Sequence, residues 1–185
     1  MKIKVLLSTL FLFLVCAQFS YSQKQMIGGI DLTVESTGDH WVPGVGATFE
    51  YKLTKHSGLE TGLFYRTYKV SGYAYSTEFF QNFIIAERHL SIPILYKFYS
   101  SIVNFSVGPT IDFYLGWRQK MGKSVIEIDT YNIDPTVGLG AMLKLSKTIN
   151  LSEKLLLEPE LRLNPILGNS RAYGGLGIAL KYRLD

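Results

Sequence analysis

The stretch "RHLSIPILYKFYSS", residues 88–101, alternates with the period of two that is typical of a β-strand. From Leu90 to Phe98 one face carries only large apolar residues and ends in aromatics, whereas the other carries Ser91, Pro93 and Lys97 beside Leu95. A soluble sheet turns its apolar face to a core and its charges to water. In a membrane barrel the apolar face meets lipid instead, and the polar face fills the lumen. The rest of the chain decides between these two settings.

Residues 1–22 have the pattern of a cleaved secretory signal peptide. A basic start precedes the apolar run 5–17, and the small residues Ser20 and Ser22 take positions −3 and −1 of a cleavage site. The run is too short to span a bilayer as a helix. Val15 is bulkier than the small residue that usually precedes a lipidated cysteine, which disfavours lipidation of Cys16. Cleavage leaves one domain, residues 23–185, without cysteine and therefore without disulfides.

The mature chain is close to neutral. Loss of Lys2 and Lys4 reduces the 19 basic residues to 17 against 15 acidic residues, and no basic tail or arginine-rich face remains. Nucleic acid is therefore not an expected partner. No mature segment has eighteen consecutive apolar residues, so a transmembrane helix is not expected either.

Eight segments of the mature chain repeat the alternation of the opening stretch. They cover residues 27–35, 44–53, 59–69, 89–99, 102–115, 136–145, 154–163 and 173–184. Each is near the nine to eleven residues that a tilted transmembrane strand needs. The connections 54–58, 100–101 and 146–153 are short, whereas 70–88, 116–135 and 164–172 are long. This spacing predicts an eight-stranded antiparallel up-and-down transmembrane β-barrel with both termini in the periplasm.

Aromatic residues lie near both ends of the segments, as in the two girdles of a membrane barrel. Those near the short turns are Tyr51, Tyr96, Phe98 and Tyr182, and those near the long loops are Trp41, Tyr65, Phe113 and Trp117. The opposite face is rich in glycine, as a crowded lumen requires. A soluble lipocalin-like binding protein stays open as an alternative that explains the strand number and the export signal but not the girdles.

Three stretches resemble the PorT-like family of Gram-negative outer-membrane β-barrels. They are "RHLSIPILYKFY", "FSVGPTIDFYLG" and "VGLGAMLKLSKTINL", and Ile92-Pro93-Ile94 with Lys97 is the most specific part. Ser91 replaces the usual acidic residue, and the chain ends Arg183-Leu184-Asp185 rather than on an aromatic. The resemblance implies an outer-membrane barrel. Most members have no assigned chemistry, and a few serve secretion.

Proline cannot donate a hydrogen bond to a β-ladder, and a closed barrel has no edge strand to accommodate it. Pro93 and Pro109 fall nearly opposite each other on adjacent strands. We therefore expect a bulge or a widened strand spacing at that place.

The inward positions carry seven acids and seven bases, with Lys52 and Arg183 among the bases. Eight strands enclose only enough room for side chains, and a charge in so narrow a lumen needs a partner. We therefore predict a plugged barrel with a lumen charge network formed by Glu50, Glu60, Arg66, Asp112, Glu158, Glu160 and Arg162. Lys52, Lys97, Lys144 and Lys181 recur near the periplasmic ends, where they either form a basic ring or pair with neighbouring acids. No cofactor or metal ion is expected, since the histidines are scattered.

His89-x-Ser91 has the spacing of a pair in which histidine activates serine for acyl transfer, as in lipid A deacylases. Any two residues two apart on a strand share a face, so the spacing is weak evidence. We predict that the protein is not an enzyme and leave lipid A modification as a minor alternative.

Any binding is expected in the loops. The predicted loop 70–88 carries aromatic residues that are candidates for partner binding: Tyr73, Tyr75, Phe79, Phe80 and Phe83. An equally good explanation is that the third and fourth strands extend beyond the membrane and that these side chains pack on each other or on the loop 116–135. The sequence predicts a structural or adhesion-type barrel in contact with outer-membrane lipid or lipopolysaccharide, with an extracellular or periplasmic protein partner. An accessory barrel of a secretion or assembly complex is the alternative.

Overall fold

The computed structural model describes residues 25–38, 40–75, 80–120, 136–167 and 171–184. The predicted signal peptide lies outside these residues and stays a prediction. Within the described parts of the chain, no helix is both long enough and apolar enough to cross a membrane.

The described residues form eight long strands and one very short strand. Their bounds are Gln25–Ser36 (β1), Trp41–Lys52 (β2), Ser57–Tyr75 (β3), Phe80–Phe98 (β4), Asn104–Lys120 (β5), Val137–Ser146 (β6), Ile149–Asn150 (β7), Leu155–Leu167 (β8) and Arg171–Arg183 (β9). The short β7 pairs with the start of β8. Each of the eight predicted segments corresponds to one long strand.

Every long strand pairs antiparallel with its neighbours in the chain, and the sheet closes on itself. The order is β6-β5-β4-β3-β2-β1-β9-β8, and β6 also pairs with β8 to complete the ring. Pairing of β1 with β9 joins the first strand to the last. The eight-stranded, antiparallel, up-and-down barrel predicted from alternation is therefore confirmed.

The prediction of a long loop at residues 70–88 is wrong, and the alternative of an extension of the third and fourth strands is confirmed. β3 continues to Tyr75 and β4 begins at Phe80, and the two strands stay paired to their ends through Tyr73↔Asn82 and Tyr75↔Phe80. β5 likewise continues to Lys120. Strands that extend beyond a membrane need no lipid-facing alternation, so the pattern that identified the other segments does not mark this hairpin. Phe79 lies outside the described residues.

The two faces of the wall have opposite character. On β1 the outward Ile30 and Leu32 are 63% and 57% exposed, whereas Asp31 between them is 0% exposed. β6 alternates exposed and buried residues over its whole length. An apolar outside around a polar inside is the arrangement of a barrel whose solvent is lipid.

The prolines interrupt the ladder without shifting its register. Between β4 and β5, pairing passes from Pro93↔Thr110 to Tyr96↔Val107, and the two residues between them on each strand are unpaired. The Thr61 hydroxyl donates a hydrogen bond to the Pro93 carbonyl at 2.8 Å. The expected interruption is present at the prolines, but the bulge is not. The register shift between β4 and β5 falls at Arg88/His89 instead.

Candidate functional site

The candidate site is the lumen, which is filled by side chains. Phe64 lies inside the wall and is 2% exposed. A Cβ at Gly46 would lie 2.3 Å from the Phe64 ring, so the glycine leaves the space that the ring occupies. Nearer the outer end, a cavity lined by His89, Tyr114 and Tyr173 has room for about one water molecule.

In the half of the barrel that carries the short turns, Lys97 is the centre of a buried ion cluster. Its ammonium lies 2.9 Å from Glu50, 3.2 Å from Glu60 and 2.6 Å from Glu158. Lys181 contacts the same three carboxylates at 3.0, 3.5 and 3.1 Å. Each carboxylate thus faces two cations, which reduces the repulsion among the three acids.

Lys144 extends this cluster toward the middle of the barrel. It pairs with Glu60 and, at 2.5 Å, with Glu160. Lys97, Lys144 and Lys181 are therefore enclosed among acids, and the basic-ring interpretation does not hold for them. Lys52 is only half-buried at the mouth, with its ammonium 5.1 Å from the centre of the Tyr99 ring.

Arg66 lies in the middle of the lumen and contacts side chains of β1, β8 and β9. Its guanidinium donates to both carboxylate oxygens of Glu35, at 2.8 and 2.9 Å, and its other arm donates to Asn164. It also stacks over the Tyr173 ring at 3.7 Å. Such a bidentate, stacked arginine is held in one orientation.

Arg162 sits beside this group and closes the middle layer. It pairs with Asp31 and Glu160, and its guanidinium lies 4.8 Å from the Phe64 ring centre. At the outer end, Glu87 pairs with Arg171 at 2.8 Å and with His89 at 3.1 Å.

The seven residues of the predicted network all lie inside the barrel, and each makes an ion pair there. Asp112, the seventh, lies 4.0 Å from Arg66. The predicted balance of seven acids and seven bases is wrong. The described buried charges are eight acids (Asp31, Glu35, Glu50, Glu60, Glu87, Asp112, Glu158, Glu160) and five bases (Arg66, Lys97, Lys144, Arg162, Lys181). Lys52 and Arg183 lie partly exposed at the mouth, where their long stems reach water. Glu87 was not counted because it fell in the predicted loop.

The aromatic candidates on the outer hairpin are placed only by their backbone. Tyr73 and Tyr75 lie on β3, and Phe80 and Phe83 lie on β4, paired in one register. Trp41, Tyr65 and Phe113 are 62%, 41% and 36% exposed on the outside, as predicted for a girdle. Trp117 departs from that pattern because the register shift turns it inward.

His89 and Ser91 hydrogen bond to different carboxylates. The Ser91 hydroxyl donates to Asp112, and His89 contacts Glu87. Ser91 is 0% exposed. A serine whose hydroxyl is donated to a carboxylate and closed off from solvent is not arranged for attack on an acyl chain. The expectation that the protein is not an enzyme stays a prediction.

Glu50, Glu60 and Glu158 bring carboxylate oxygens within 4.8 Å of one another, close enough to ligate one metal ion. The ammonium groups of Lys97 and Lys181 already lie among these oxygens. A cation would have to displace them, so the cluster is better explained as an ion-pair network.

No family model and no curated relative matches the chain. Among solved structures, the outer membrane protein OprG from Pseudomonas aeruginosa is similar over 90% of this chain and 98% of its own, at 13% identity and a TM-score of 0.53. Ail of Yersinia pestis in complex with the heparin analogue sucrose octasulfate is similar over 87% of this chain and 97% of its own (7% identity, TM-score 0.46). Neisserial surface protein A is similar over the same shares, at 13% identity and a TM-score of 0.44. At these identities the likeness concerns the fold, and the chain has the fold of a small eight-stranded outer-membrane barrel.

Proposed function

We propose that the protein is a small integral outer-membrane barrel with a plugged lumen, and that it acts as a structural or interaction protein through its extracellular hairpins. The observation that supports this most is the layered ion network, which leaves Lys97 and Asp31 0% exposed inside the wall. A pore needs a continuous water path along its lumen. Here acids and bases lock one another across the lumen instead.

The short turns, the start of β1 and the end of β9 lie at the same end of the barrel, since the start of β1 pairs with the end of β9. We assign this end to the periplasm and the β3–β4 hairpin to the outside, following the usual asymmetry of outer-membrane barrels. The resemblance of residues 88–99 to the PorT-like family supports the same placement. The contacts with outer-membrane lipid or lipopolysaccharide are then made by the apolar wall.

Conductance in planar bilayers tests the plug. Purified monomeric protein should give no stable single-channel current, and a variant that opens the middle layer, Arg66→Ala with Arg162→Ala, provides the comparison. Steady unitary currents from the wild-type protein would contradict a plugged lumen. Proper insertion is checked by the heat-modifiable folded band on gels.

The β3–β4 hairpin is the strongest candidate for partner binding. The register of its paired strands places Tyr73, Tyr75, Phe80 and Phe83 beyond the girdle residue Tyr65. Large aromatic residues are common interface anchors. A partner on the outside favours an adhesion-type role, whereas a periplasmic partner favours an accessory role in a secretion or assembly complex.

Crosslinking in native membranes distinguishes the two roles by the side on which a partner is captured. Phe79→Ala with Phe80→Ala should abolish capture of an outside partner while leaving the folded band unchanged. Loss of the folded band in this variant would show that the two aromatics are structural. Tyr96→Ala with Phe98→Ala, at the opposite end of the wall, is the matched control and should retain capture.

A further inference from the structure

The outer wall changes character where β3, β4 and β5 leave the apolar band. On β4 the outward positions are apolar from Phe98 to Leu90, and the next outward residue is the exposed Arg88. On β5 the apolar band ends at Leu115, and the first charge beyond it is the exposed Arg118. On β3 the first outward charge is Lys69. The first outward charges on three adjacent strands are therefore all basic.

Strand register brings these three bases together. Lys69 pairs with Ala86, and Ala86 pairs with Arg118 on its other side. Arg88 is the next outward residue on β4, so it is the diagonal neighbour of both. Diagonal neighbours in an antiparallel sheet are about 7–8 Å apart, within reach of long side chains that share one ligand.

The bulge between β4 and β5 creates this arrangement. Arg88 pairs with Gly116 but His89 pairs with Tyr114, so Leu115 is the extra residue. Beyond it the phase of β5 is reversed: Trp117 pairs with the inward Glu87, and Arg118 faces out. Strict alternation from Phe113 would have turned Arg118 into the lumen. Bulges at barrel rims commonly re-aim a side chain in this way.

Gly116 adopts φ +123°, which L side chains rarely adopt, and this permits the bulge. A Cβ at Gly116 would lie 3.3 Å from Arg88 Nη2, so the Arg88 guanidinium lies across the strand at this point. Gly116 therefore permits the backbone conformation of the bulge and also leaves space for the Arg88 guanidinium.

Within the described ranges, the side chains of Lys69, Arg88 and Arg118 make no ion pair or hydrogen bond. The acid nearest to them in sequence, Glu87, points inward and pairs with Arg171. Three neighbouring cations without an acid repel one another unless an anion joins them. Among the described residues, this arrangement of cations just above the apolar band suits an anionic ligand.

We propose that Lys69, Arg88 and Arg118 bind a phosphate group of the outer-leaflet glycolipid, the lipid A phosphate of lipopolysaccharide. The inference rests on the proposed placement in the outer membrane. It is supported by height: Arg88 is the next outward residue after Leu90, and Lys69 and Arg118 are the second outward residues after the girdle aromatics Tyr65 and Phe113, which mark the level of the lipid head groups. Two arginine guanidinium groups suit phosphate, because their donors match its oxygens in pairs.

Titration of the folded, full barrel with lipid A in zwitterionic detergent, followed by native mass spectrometry, tests the proposal. Arg88→Gln with Arg118→Gln should weaken binding of phosphorylated lipid A about 30-fold, at about fivefold per base near an anionic lipid surface. Lys69→Gln alone should weaken it about fivefold. Lys55→Gln with Lys154→Gln makes the same change in net charge at the opposite end and should leave binding unchanged.

Dephosphorylated lipid A should bind the wild-type protein about as weakly as phosphorylated lipid A binds the double variant. Equal binding of both lipids, equal losses in the control variant, or displacement of lipid A by inorganic phosphate at the same concentration would overturn the proposal. If the barrel folds and inserts in vesicles but binds both forms of lipid A equally, only this inference is refuted. If the protein fails to insert in vesicles, the proposed function is refuted as well.

Discussion

Replacing Lys97 with methionine tests whether the charged plug is held together by mutual pairing. Methionine keeps much of the length and volume of the lysine stem and removes only the ammonium. The change leaves Glu50 and Glu158 with Lys181 as their remaining close cation, while Glu60 keeps Lys181 and Lys144.

The expected cost follows from burial. Lys97 is 0% exposed, and its three carboxylate partners are each 2% exposed, so no solvent replaces the lost ammonium. Removing one partner of a buried ion pair typically costs about 3–5 kcal/mol, because a charge is left uncompensated. We expect Lys97→Met to lower the free energy of unfolding by about that amount.

A urea titration of the protein in lipid vesicles, read by tryptophan fluorescence and by the heat-modifiable band, measures this change. The double variant Lys97→Met with Glu158→Gln removes one charge of each sign. Its loss should be smaller than the sum of the two single losses by about 1–3 kcal/mol, the coupling expected for residues in direct contact. Lys55→Gln, in an exposed turn, is the neutral control.

Two results would refute the reasoning. A loss below about 1 kcal/mol for Lys97→Met would mean that water enters the lumen and screens the carboxylates. Additive losses in the double variant would mean that Lys97 and Glu158 do not stabilise each other, despite the 2.6 Å between their charged atoms.

Three further changes test the wall and its packing. Gly175→Ala should lower the free energy of unfolding by about 1–3 kcal/mol in a urea titration, since the new Cβ would lie 2.2 Å from a backbone oxygen of β1. Gly28→Ala is the control and should be nearly neutral, because its Cβ would meet only a side-chain atom at 3.5 Å. Asn164→Ala should cost about 2–3 kcal/mol in the same measurement, because the Asn164 amide nitrogen donates to the Ala141 carbonyl of β6 at 2.9 Å and its amide oxygen accepts from the buried Arg66. Full stability would show that water replaces the amide. Ile30→Arg, on the outward face of β1, should lower the free energy of unfolding in vesicles by about 2–4 kcal/mol. An unchanged urea midpoint would argue against a lipid-facing wall.

The sequence by itself determined the strands and the character of their faces. Alternation is a local property, because successive side chains on a strand point to opposite sides whatever the strand pairs with. For this reason the inward positions of Glu50, Glu60, Arg66 and Glu158 could be assigned without knowledge of any partner. The closed barrel was predicted from the alternation of short turns with long connections, and the even number of segments placed both termini on one side.

Only the tertiary structure decided which charges meet. Lys97 and Glu158 are brought together by strands that are not adjacent in the ring, a contact that no spacing along the chain encodes. The sequence also left open whether the third and fourth strands extend through residues 70–88, because pairing beyond the membrane does not require lipid-facing alternation, and the structure shows that they do. The bulge at Leu115 had the largest effect: one extra residue reverses the face of every residue after it, so that Arg118 faces outward where alternation predicts the lumen.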